Sequence, residues 1–351
     1  MRISGAGLLR LILPGVILAL FGVACSERNA GPEAGAEKNE DNHAERIAAA
    51  PEPGRKARSP AVAGAFYPGD ADSLRESVGK CIEQAEKAVT GKKPVAGVVP
   101  HAGYVYSGKC AGSFYRELKG SEYSRVIILG PSHYRALRGI ALPSAETGFY
   151  RTPLGDVRVD RKTCRELAGQ PGFTVVPGAG AREHSIEVQL PFLQATIGEF
   201  SLVPLLCGHL PDEDIVGCGE ILAEYLDDDT LVLASTDFTH YGPRFGFVPF
   251  KTETAKNIRK WLEEASRLVA GLDREGFAGY LDRTKDTICG RIPIRVMLES
   301  VVRSGISFRG KVLDRYCSGD ITGDYRNSVS YASIAVYRDR VENTERPEKE
   351  H

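Results

Sequence analysis

The sequence predicts an α/β protein of three layers, in which helices cover both faces of a mainly parallel central sheet. Short apolar runs rich in β-branched residues alternate with segments whose apolar residues recur at helical spacing. Several of these runs stop at proline or glycine and then present a polar side chain. Buried parallel strands present polar groups in this way at their carboxyl ends, where open α/β sheets bind their ligands.

The first predicted elements are a helix, a strand and a second helix. Residues 72–88 carry apolar residues on one helical face. The strand begins at Val95, ends at a proline and is followed by His101. Ser107 is placed to cap the next helix, which runs to about residue 118.

The later elements follow the same alternation. A strand from Arg125 ends in Gly-Pro-Ser and His133, and residues 139–160 alternate like strands. Helical spacing after a glycine-rich loop places Glu183 and His184 at the amino end of a helix. Further strands are predicted at 200–206, 231–234, 312–316 and 328–337, and further helices at 161–168, at 212–226 and within 254–281. No internal linker or repeat interrupts this region, so residues 58–340 are predicted to form one domain.

Four of the predicted strands end in polar groups. They lead to His101, to His133, to His209, and to the pair Asp237 and His240. Because parallel strands end at the same edge of a sheet, His101, His133, Asp237 and His240 are expected to converge there, together with His184 at the predicted helix start. His209 is kept as a structural residue.

A cysteine joins this set of candidate residues. Cys289 lies before Pro293, which suits the first turn of a helix, and a helix amino end favours a thiolate. Neutral imidazole and thiolate together suit iron, copper or zinc rather than magnesium or calcium. Taken singly, each residue has a simpler interpretation: a hydrogen-bonded turn histidine, a buried thiol, or a helix cap for Asp237.

Charge and motifs argue against nucleic acid and nucleotide binding. The chain has 45 Lys and Arg against 46 Asp and Glu, so it has no basic excess. Gly97, Gly103 and Gly130 form neither a dinucleotide-binding nor a phosphate-loop pattern.

The amino-terminal segment is predicted to direct export. Residues 1–25 combine basic residues, a short apolar run and small residues before Cys25, the arrangement of a lipoprotein signal with lipid on that cysteine. Gly22 departs from the usual lipoprotein pattern, and a plain signal peptide or a single membrane anchor is the alternative. We therefore expect an exported, bacterial, lipid-anchored protein that touches the membrane only through this lipid, or a cytoplasmic protein if the signal does not function.

The two flanking segments are predicted to be disordered. Residues 26–57, with His43, form a flexible tether, and residues 341–351 form a charged tail. The seven cysteines after Cys25 are odd in number and contain no closely spaced pair, so a disulfide framework is not expected.

Several motifs in one order resemble the Memo-like family, known in bacteria and archaea as AmmeMemoRadiSam system protein B. They are Ala-Gly-Ala-Phe-Tyr-Pro at 63–68, Pro-His-Ala-Gly-Tyr at 100–104, Ile-Leu-Gly-Pro-Ser-His at 128–133, Tyr-Arg-Thr-Pro-Leu-Gly at 150–155, Glu-His-Ser-Ile-Glu at 183–187, Ser-Thr-Asp-Phe-Thr-His-Tyr-Gly at 235–242, Ile-Cys-Gly-Arg at 288–291 and Ser-Val-Ser-Tyr-Ala at 328–332. The resemblance covers about residues 59–337.

This resemblance implies a fold like that of class III extradiol dioxygenases and a metal pocket of two histidines and one cysteine. The metal ligands implied are His101, His133 and Cys289. Asp237, His240 and His184 match further pocket residues and are the candidate catalytic groups. His209 has no counterpart in the family pattern and is assigned a structural role.

One residue departs from the family pattern. The expected partners are implied by the resemblance alone. Ile292 stands where the family often has histidine. The resemblance implies radical SAM and AMMECR1-type proteins as partners, and the substrate is an unidentified small molecule.

The expected function is a redox or dioxygenase-like reaction at one iron or copper ion. A cysteine in place of the usual carboxylate ligand weakens the transfer of ring cleavage itself to this protein. The alternatives are a protein that sequesters metal or acts as an adaptor without catalysis, and a zinc hydrolase.

Overall fold

The computed structural model describes residues 55–85 and 91–339, which belong to one compact unit. The predicted signal segment with Cys25, residues 26–54 of the predicted tether with His43, and the tail at 341–351 lie outside the described residues. The end of the predicted tether is not flexible coil, because Lys56 and Ala57 belong to a strand. Within these two ranges, no helix is both long and apolar enough to cross a membrane.

The described strands form one large mixed sheet. They are β1 (Lys56–Arg58), β2 (Pro94–Val99), β3 (Arg125–Pro131), β4 (Ile140–Leu142), β5 (Thr147–Thr152), β6 (Gly155–Val159), β7 (Phe173–Val175), β8 (Ser201–Cys207), β9 (Thr230–Ser235), β10 (His240–Tyr241), β11 (Phe308–Cys317) and β12 (Ser328–Arg338). Their order is β1-β5-β6-β8-β3-β9-β2-β12-β10, with β11 beside β12, β4 beside β8 and β7 beside β4.

The centre of the sheet is parallel, as predicted. Strands β6, β8, β3, β9 and β2 are all parallel neighbours. The flanks are partly antiparallel: β12 runs antiparallel to both β2 and β11, and β5 to β6. In particular, β12 from the end of the chain lies directly beside β2 from its beginning.

Helices cover the sheet to complete the three layers. They are α1 (Ala71–Glu83), α2 (Tyr104–Glu117), α3 (Arg161–Ala168), α4 (Leu190–Thr196), α5 (Asp212–Ala223), α6 (Thr254–Ala270), α7 (Arg274–Thr284), α8 (Arg291–Arg303) and α9 (Ser318–Thr322). Helices α1, α2 and α4 pack on one another, while α5 packs on α8, and α8 also contacts β2, β3 and β9. The α/β three-layer prediction is confirmed.

The central strands are buried along their whole length. Every residue of β2, β8 and β9 is buried, which matches their nearly continuous apolar sequences. Gly97 in β2 lets α2 approach closely, since a Cβ there would lie 2.1 Å from the ring of Phe114. These strands form a rigid base for the residues at their carboxyl ends.

The prediction that Ser107 caps a helix is wrong. Helix α2 begins at Tyr104, and the carbonyl of Gly103 accepts the N–H of Ser107 in its first turn. Ser107 is buried inside the helix and donates its hydroxyl to the Ala102 carbonyl at 3.0 Å. The helix starts earlier because the carbonyl of Gly103 already accepts the N–H groups of Tyr106 and Ser107.

The prediction that Glu183 and His184 begin a helix also fails. Both residues lie in a loop, and α4 starts only at Leu190, after a short 3-10 turn at Glu187–Gln189. The Glu183 carboxylate accepts the backbone N–H of His184 at 2.9 Å and that of Ser185 at 3.0 Å. These local hydrogen bonds stabilise a turn at a position where the sequence predicted the start of a helix.

Candidate metal centre

The structure brings together the three residues expected to bind metal. His101 follows β2, His133 follows β3, and Cys289 lies just before α8. One nitrogen of each histidine and the cysteine sulfur all lie within 4.8 Å of one another. The Nε2 of His101 is 3.2 Å from the Sγ of Cys289.

His101 is buried and held on two sides. Its backbone N–H donates to the Asp237 carboxylate at 2.9 Å, and its Nδ1 lies 3.0 Å from the Oγ of Ser235. Burial, and then the neighbouring His184 and His133 rings, lower the pKa of His101 well below its ordinary value. Its imidazole is therefore neutral, the form that binds metals.

His133 is supported by a carboxylate. Its Nδ1 lies 2.9 Å from Glu183 Oε1, and its backbone N–H donates to Oε2 at 2.7 Å. Burial alone would raise the pKa of Glu183, but the His133 ring and backbone N–H groups outweigh it and lower the pKa to about 2. An ionised carboxylate only accepts hydrogen bonds, so Nδ1 carries the proton and Nε2 is left free.

His133, Glu183 and His184 form a second group of close ligand atoms. The Glu183 oxygens already accept three backbone N–H groups and the His133 ring N–H. We interpret this second group as the support of His133 in the first site.

Cys289 is enclosed by the end of β9 and the start of α8. Its Sγ accepts the N–H of Asp237 at 3.3 Å and lies 3.8 Å from Thr236 Oγ1. Helix α8 begins close by at Arg291, as expected. However, burial and then the Asp237 carboxylate raise the pKa of this thiol to about 12, which outweighs the predicted stabilisation of a thiolate by the helix. A coordinated cation reverses this balance, because a metal deprotonates its thiol ligand.

Asp237 and His240 lie beside the triad. Asp237 is buried, and removal from water raises the pKa of its carboxyl despite the opposing charge of His240. The Nδ1 of His240 lies 3.2 Å from the Thr287 carbonyl, which can only accept, so Nδ1 carries a proton and donates it. Both groups lie close to His101: Asp237 accepts its backbone N–H, and His240 interacts with its ring electrostatically.

His184 forms part of the pocket wall. Its ring stacks on His133 with centroids 4.6 Å apart, and it meets His101 edge-on at 5.4 Å. Its buried Nδ1 has no hydrogen-bond partner among the described residues. Burial and then the nearby His133 lower the pKa of His184 to about 4, so its ring is neutral at pH 7.

Aromatic residues that the sequence interpretation did not single out surround His184. The Phe66 ring lies 4.8 Å from it and the Tyr134 ring 6.1 Å, with Arg182 over Tyr134. Tyr134 is 47% exposed, so it lies at the rim of the pocket. Phe66 lies within one of the recognised motifs, the only sequence signal that pointed to it.

An ion pair holds the loop that carries Glu183. The Arg58 guanidinium pairs with the fully buried Glu187 and also donates to the carbonyls of Glu183 and Gly180. Glu187 further accepts the hydroxyl of Tyr67 at 2.5 Å. This contact ties the beginning of the described chain to the site.

The structure keeps two other residues out of the centre. His209 pairs through its backbone with Leu137 and Gly139 and belongs to neither ligand group. Ile292 packs against the hydrophobic core from the first turn of α8. The seven described cysteines are unpaired, and all but Cys289 are buried.

The fold and the site together define an α/β protein with a candidate mononuclear metal centre at the carboxyl edge of its sheet. The family described as Memo-like protein matches residues 58–335. The chain therefore belongs to the Memo family.

Relatives from archaea and animals agree with this assignment. A MEMO1 family protein of Methanopyrus kandleri is 37% identical over 294 residues, covering 80% of this chain and 99% of that protein. The memo-1 homolog of Caenorhabditis elegans is 34% identical over 296 residues, covering 81% and 83% respectively. MEMO1 of Danio rerio is 34% identical over 292 residues, covering 80% and 97%.

One solved structure shows a distant likeness. An uncharacterized protein from Escherichia coli K12 aligns with a TM-score of 0.38 and 16% identity, covering 60% of this chain and 85% of that chain. A likeness of this size does not bear on the fold family.

Proposed function

We propose that this Memo family protein binds a single iron or copper ion through His101, His133 and Cys289 and uses it in a redox, dioxygenase-like reaction. The convergence of these three donors within 4.8 Å carries the proposal. In this proposal Asp237 and His240, which lie beside these donors, transfer protons. The neutral ring of His184 forms part of the pocket wall.

The donor set fits such a metal. Tetrahedral ligands at about 2.1 Å for nitrogen and 2.3 Å for sulfur lie roughly 3.6 Å from each other. The observed 3.2 Å between His101 and Cys289 differs from this by only a few tenths of an ångström. Two imidazoles and a thiol are ligands for late first-row metals, whereas magnesium and calcium require oxygen.

The protein and the metal would divide the chemistry between them. Bound iron or copper supplies one-electron redox capacity and coordination positions for oxygen or substrate. Asp237 holds the His101 backbone and can take or give a proton, and His240 carries a proton on Nδ1. The buried rings of His101 and His184 exclude water from one side.

Metal analysis tests the proposal. The protein is purified under argon without tag histidines, and its metal content is compared with that of His101→Ala and Cys289→Ser variants. We expect about one iron or copper per chain in the wild type and loss of most of it in both variants. His209→Ala is the matched control, because His209 also follows a strand but lies outside the site.

The outcomes separate the possible functions. Oxygen consumption that depends on an added substrate supports the redox enzyme, while bound iron or copper without any such consumption would favour metal sequestration or an adaptor. Stoichiometric zinc with activity in the absence of oxygen would favour a hydrolase. Full metal content in Cys289→Ser would remove Cys289 from the site.

A further inference from the structure

We infer that the hydroxyl of Ser235, itself fixed by Gln189, holds the proton of His101 on Nδ1 and so keeps Nε2 available as the metal-facing atom. The inference deepens the proposed function, on which its metal-binding consequence rests. Ser235 is thereby a positioning residue that acts through His101.

The argument begins at Gln189, whose orientation is determined by its neighbours. One side-chain atom lies 3.0 Å from the carbonyl oxygen of Pro100, which can only accept, so that atom must be the amide nitrogen. The amide oxygen then accepts the hydroxyl of Tyr115 at 2.7 Å. The second hydrogen on the nitrogen points to Ser235 Oγ at 2.8 Å.

The single hydroxyl hydrogen of Ser235 is also committed. Its Oγ lies 2.5 Å from the carbonyl oxygen of Ser185, another group that only accepts, so Ser235 donates there. One Oγ lone pair accepts from Gln189. Only one lone pair then remains for the third neighbour, His101.

His101 must therefore be the donor in the last contact. Its Nδ1 lies 3.0 Å from Ser235 Oγ, and an acceptor there would face an oxygen with no hydrogen left to give. A neutral ring with its proton on Nδ1 carries its lone pair on Nε2. That atom faces Cys289 Sγ at 3.2 Å, inside the candidate metal site.

All the residues of this chain of bonds are buried. Ser185 and Ser235 have no exposed surface, Gln189 is 1% exposed and His101 2%. Because no water competes, a donor or acceptor left without a partner here would cost free energy. Only one assignment of donors and acceptors therefore satisfies every hydrogen bond in this chain.

Nuclear magnetic resonance of the metal-free protein tests the tautomer directly. The chain has seven histidines, so labelling with nitrogen-15 histidine gives few signals, and His101→Gln assigns the one of interest. We expect His101 to carry its proton on Nδ1 in the wild type. A proton on Nε2 would overturn the inference, and this measurement needs no Ser235 variant to fold.

Substitutions test the part played by Ser235. In Ser235→Ala we expect the His101 proton to redistribute toward Nε2 and the affinity for cobalt(II), used as a probe, to fall by about 10- to 100-fold. Ser235→Thr keeps the hydroxyl and should restore both properties. Ser333→Ala removes another fully buried serine hydroxyl, which donates to Cys110, and should change neither.

The failures of the two proposals can be told apart. An unchanged tautomer in Ser235→Ala would show that Ser235 does not hold the proton, whatever the affinity for cobalt. A wild-type protein with the Nδ1 proton but without cobalt binding would uphold the inference about His101 and remove the proposed metal function.

Discussion

The two imidazoles of the pocket have unlike partners. His133 faces the ionised carboxylate of Glu183, whereas His101 faces the neutral hydroxyl of Ser235. A carboxylate partner raises the basicity of a metal-binding imidazole. His133 would therefore be the stronger donor to a bound metal, although its side chain is 29% exposed and His101 is buried.

Substitution of Glu183 tests the importance of this partner. In Glu183→Gln, one oxygen is replaced by an NH2 group that faces N–H donors. We expect cobalt(II) affinity to fall by about 10- to 100-fold and the free energy of unfolding by about 1–3 kcal/mol. Competition with a chelator and urea denaturation measure the two effects.

Glu146→Gln provides the control for this change. Glu146 is a well-exposed carboxylate that pairs with Lys56 and belongs to neither ligand group. Its substitution should leave cobalt affinity unchanged. Equal affinity in wild type and Glu183→Gln would show that the carboxylate does not support the metal ligand.

Among single residues, the candidate metal ligands could be predicted from the sequence, whereas the residues that hydrogen-bond to those ligands could not. His101, His133 and Cys289 could be proposed because strand ends and a family motif carry them. Ser235 and Gln189 could not, because their roles arise from contacts between residues 134 and 46 positions apart. No periodicity or spacing records such contacts.

Among the elements, the junction of β9 with α8 shapes the thiol site. A Cβ on Gly290 would lie 2.3 Å from the Cβ of Thr236. Gly290→Ala should therefore push Cys289 away from His101, weaken cobalt binding and lower the free energy of unfolding by about 1–3 kcal/mol. The thiolate-to-cobalt absorption band and thermal melts measure these effects.

Gly279→Ala is the matched substitution within a helix. Gly279 lies exposed in α7 with nothing within 4 Å of an added Cβ. Alanine there should stabilise the helix by about 0.5–1 kcal/mol and leave the cobalt spectrum unchanged. Wild-type spectra and stability in Gly290→Ala would contradict the tight packing at this junction.

Helix α3 depends on Asp160 for its amino end. Asp160 accepts the N–H of Thr163 at 3.0 Å and pairs with Arg125 at 3.0 Å. Burial alone would raise its pKa, but the hydrogen bonds from Thr163 and Arg125 lower it below the ordinary value. Asparagine caps a helix as well as aspartate does, so the expected cost of Asp160→Asn, about 1.5–3 kcal/mol at pH 7, comes from the lost charge facing Arg125.

The pH dependence of this effect has a definite sign. Because the folded pKa of Asp160 lies below the unfolded one of about 3.9, its contribution is present above that pH and is lost as pH falls through the folded value. The difference between wild type and Asp160→Asn should therefore shrink in urea denaturation as the pH is lowered below about 4. A difference independent of pH would contradict the ionic role.

The elements differed in how well the sequence predicted them. Helix α3 has the predicted bounds because Asp160 marks its start locally. The start of α2 was missed because its N-cap residue is Gly103, which has no side chain to mark the start as a serine cap would. The pairing of β12 with β2 could not be predicted, since no local signal links strands so far apart.

For the whole molecule, a bound metal would join segments that are distant in the sequence but end at the same edge of the sheet. The ligands follow β2 and β3 and precede α8, so a metal bound only by the folded protein stabilises all of them together. At a free metal concentration of 100 times Kd this amounts to about 2.7 kcal/mol.

Removal of the metal should lower the thermal midpoint by roughly 4–5 °C, given an unfolding entropy of about 2 cal/mol/K per residue over a domain of about 280 residues. Calorimetry before and after chelation, and after return of the metal, measures the shift. Cys289→Ser should show no such response to the chelator. A wild-type midpoint unaffected by metal removal and return would contradict a site formed only on folding.

The place of β12 has a consequence for synthesis on the ribosome. His101 and Cys289 are 188 positions apart, a distance that takes roughly 10 to 40 s to translate. The edge of β2 next to His101 stays unpaired until β12, near the end of the chain, is made. The pocket therefore cannot assemble before Cys289 and β12 have both been synthesised, and any metal would enter only after that point.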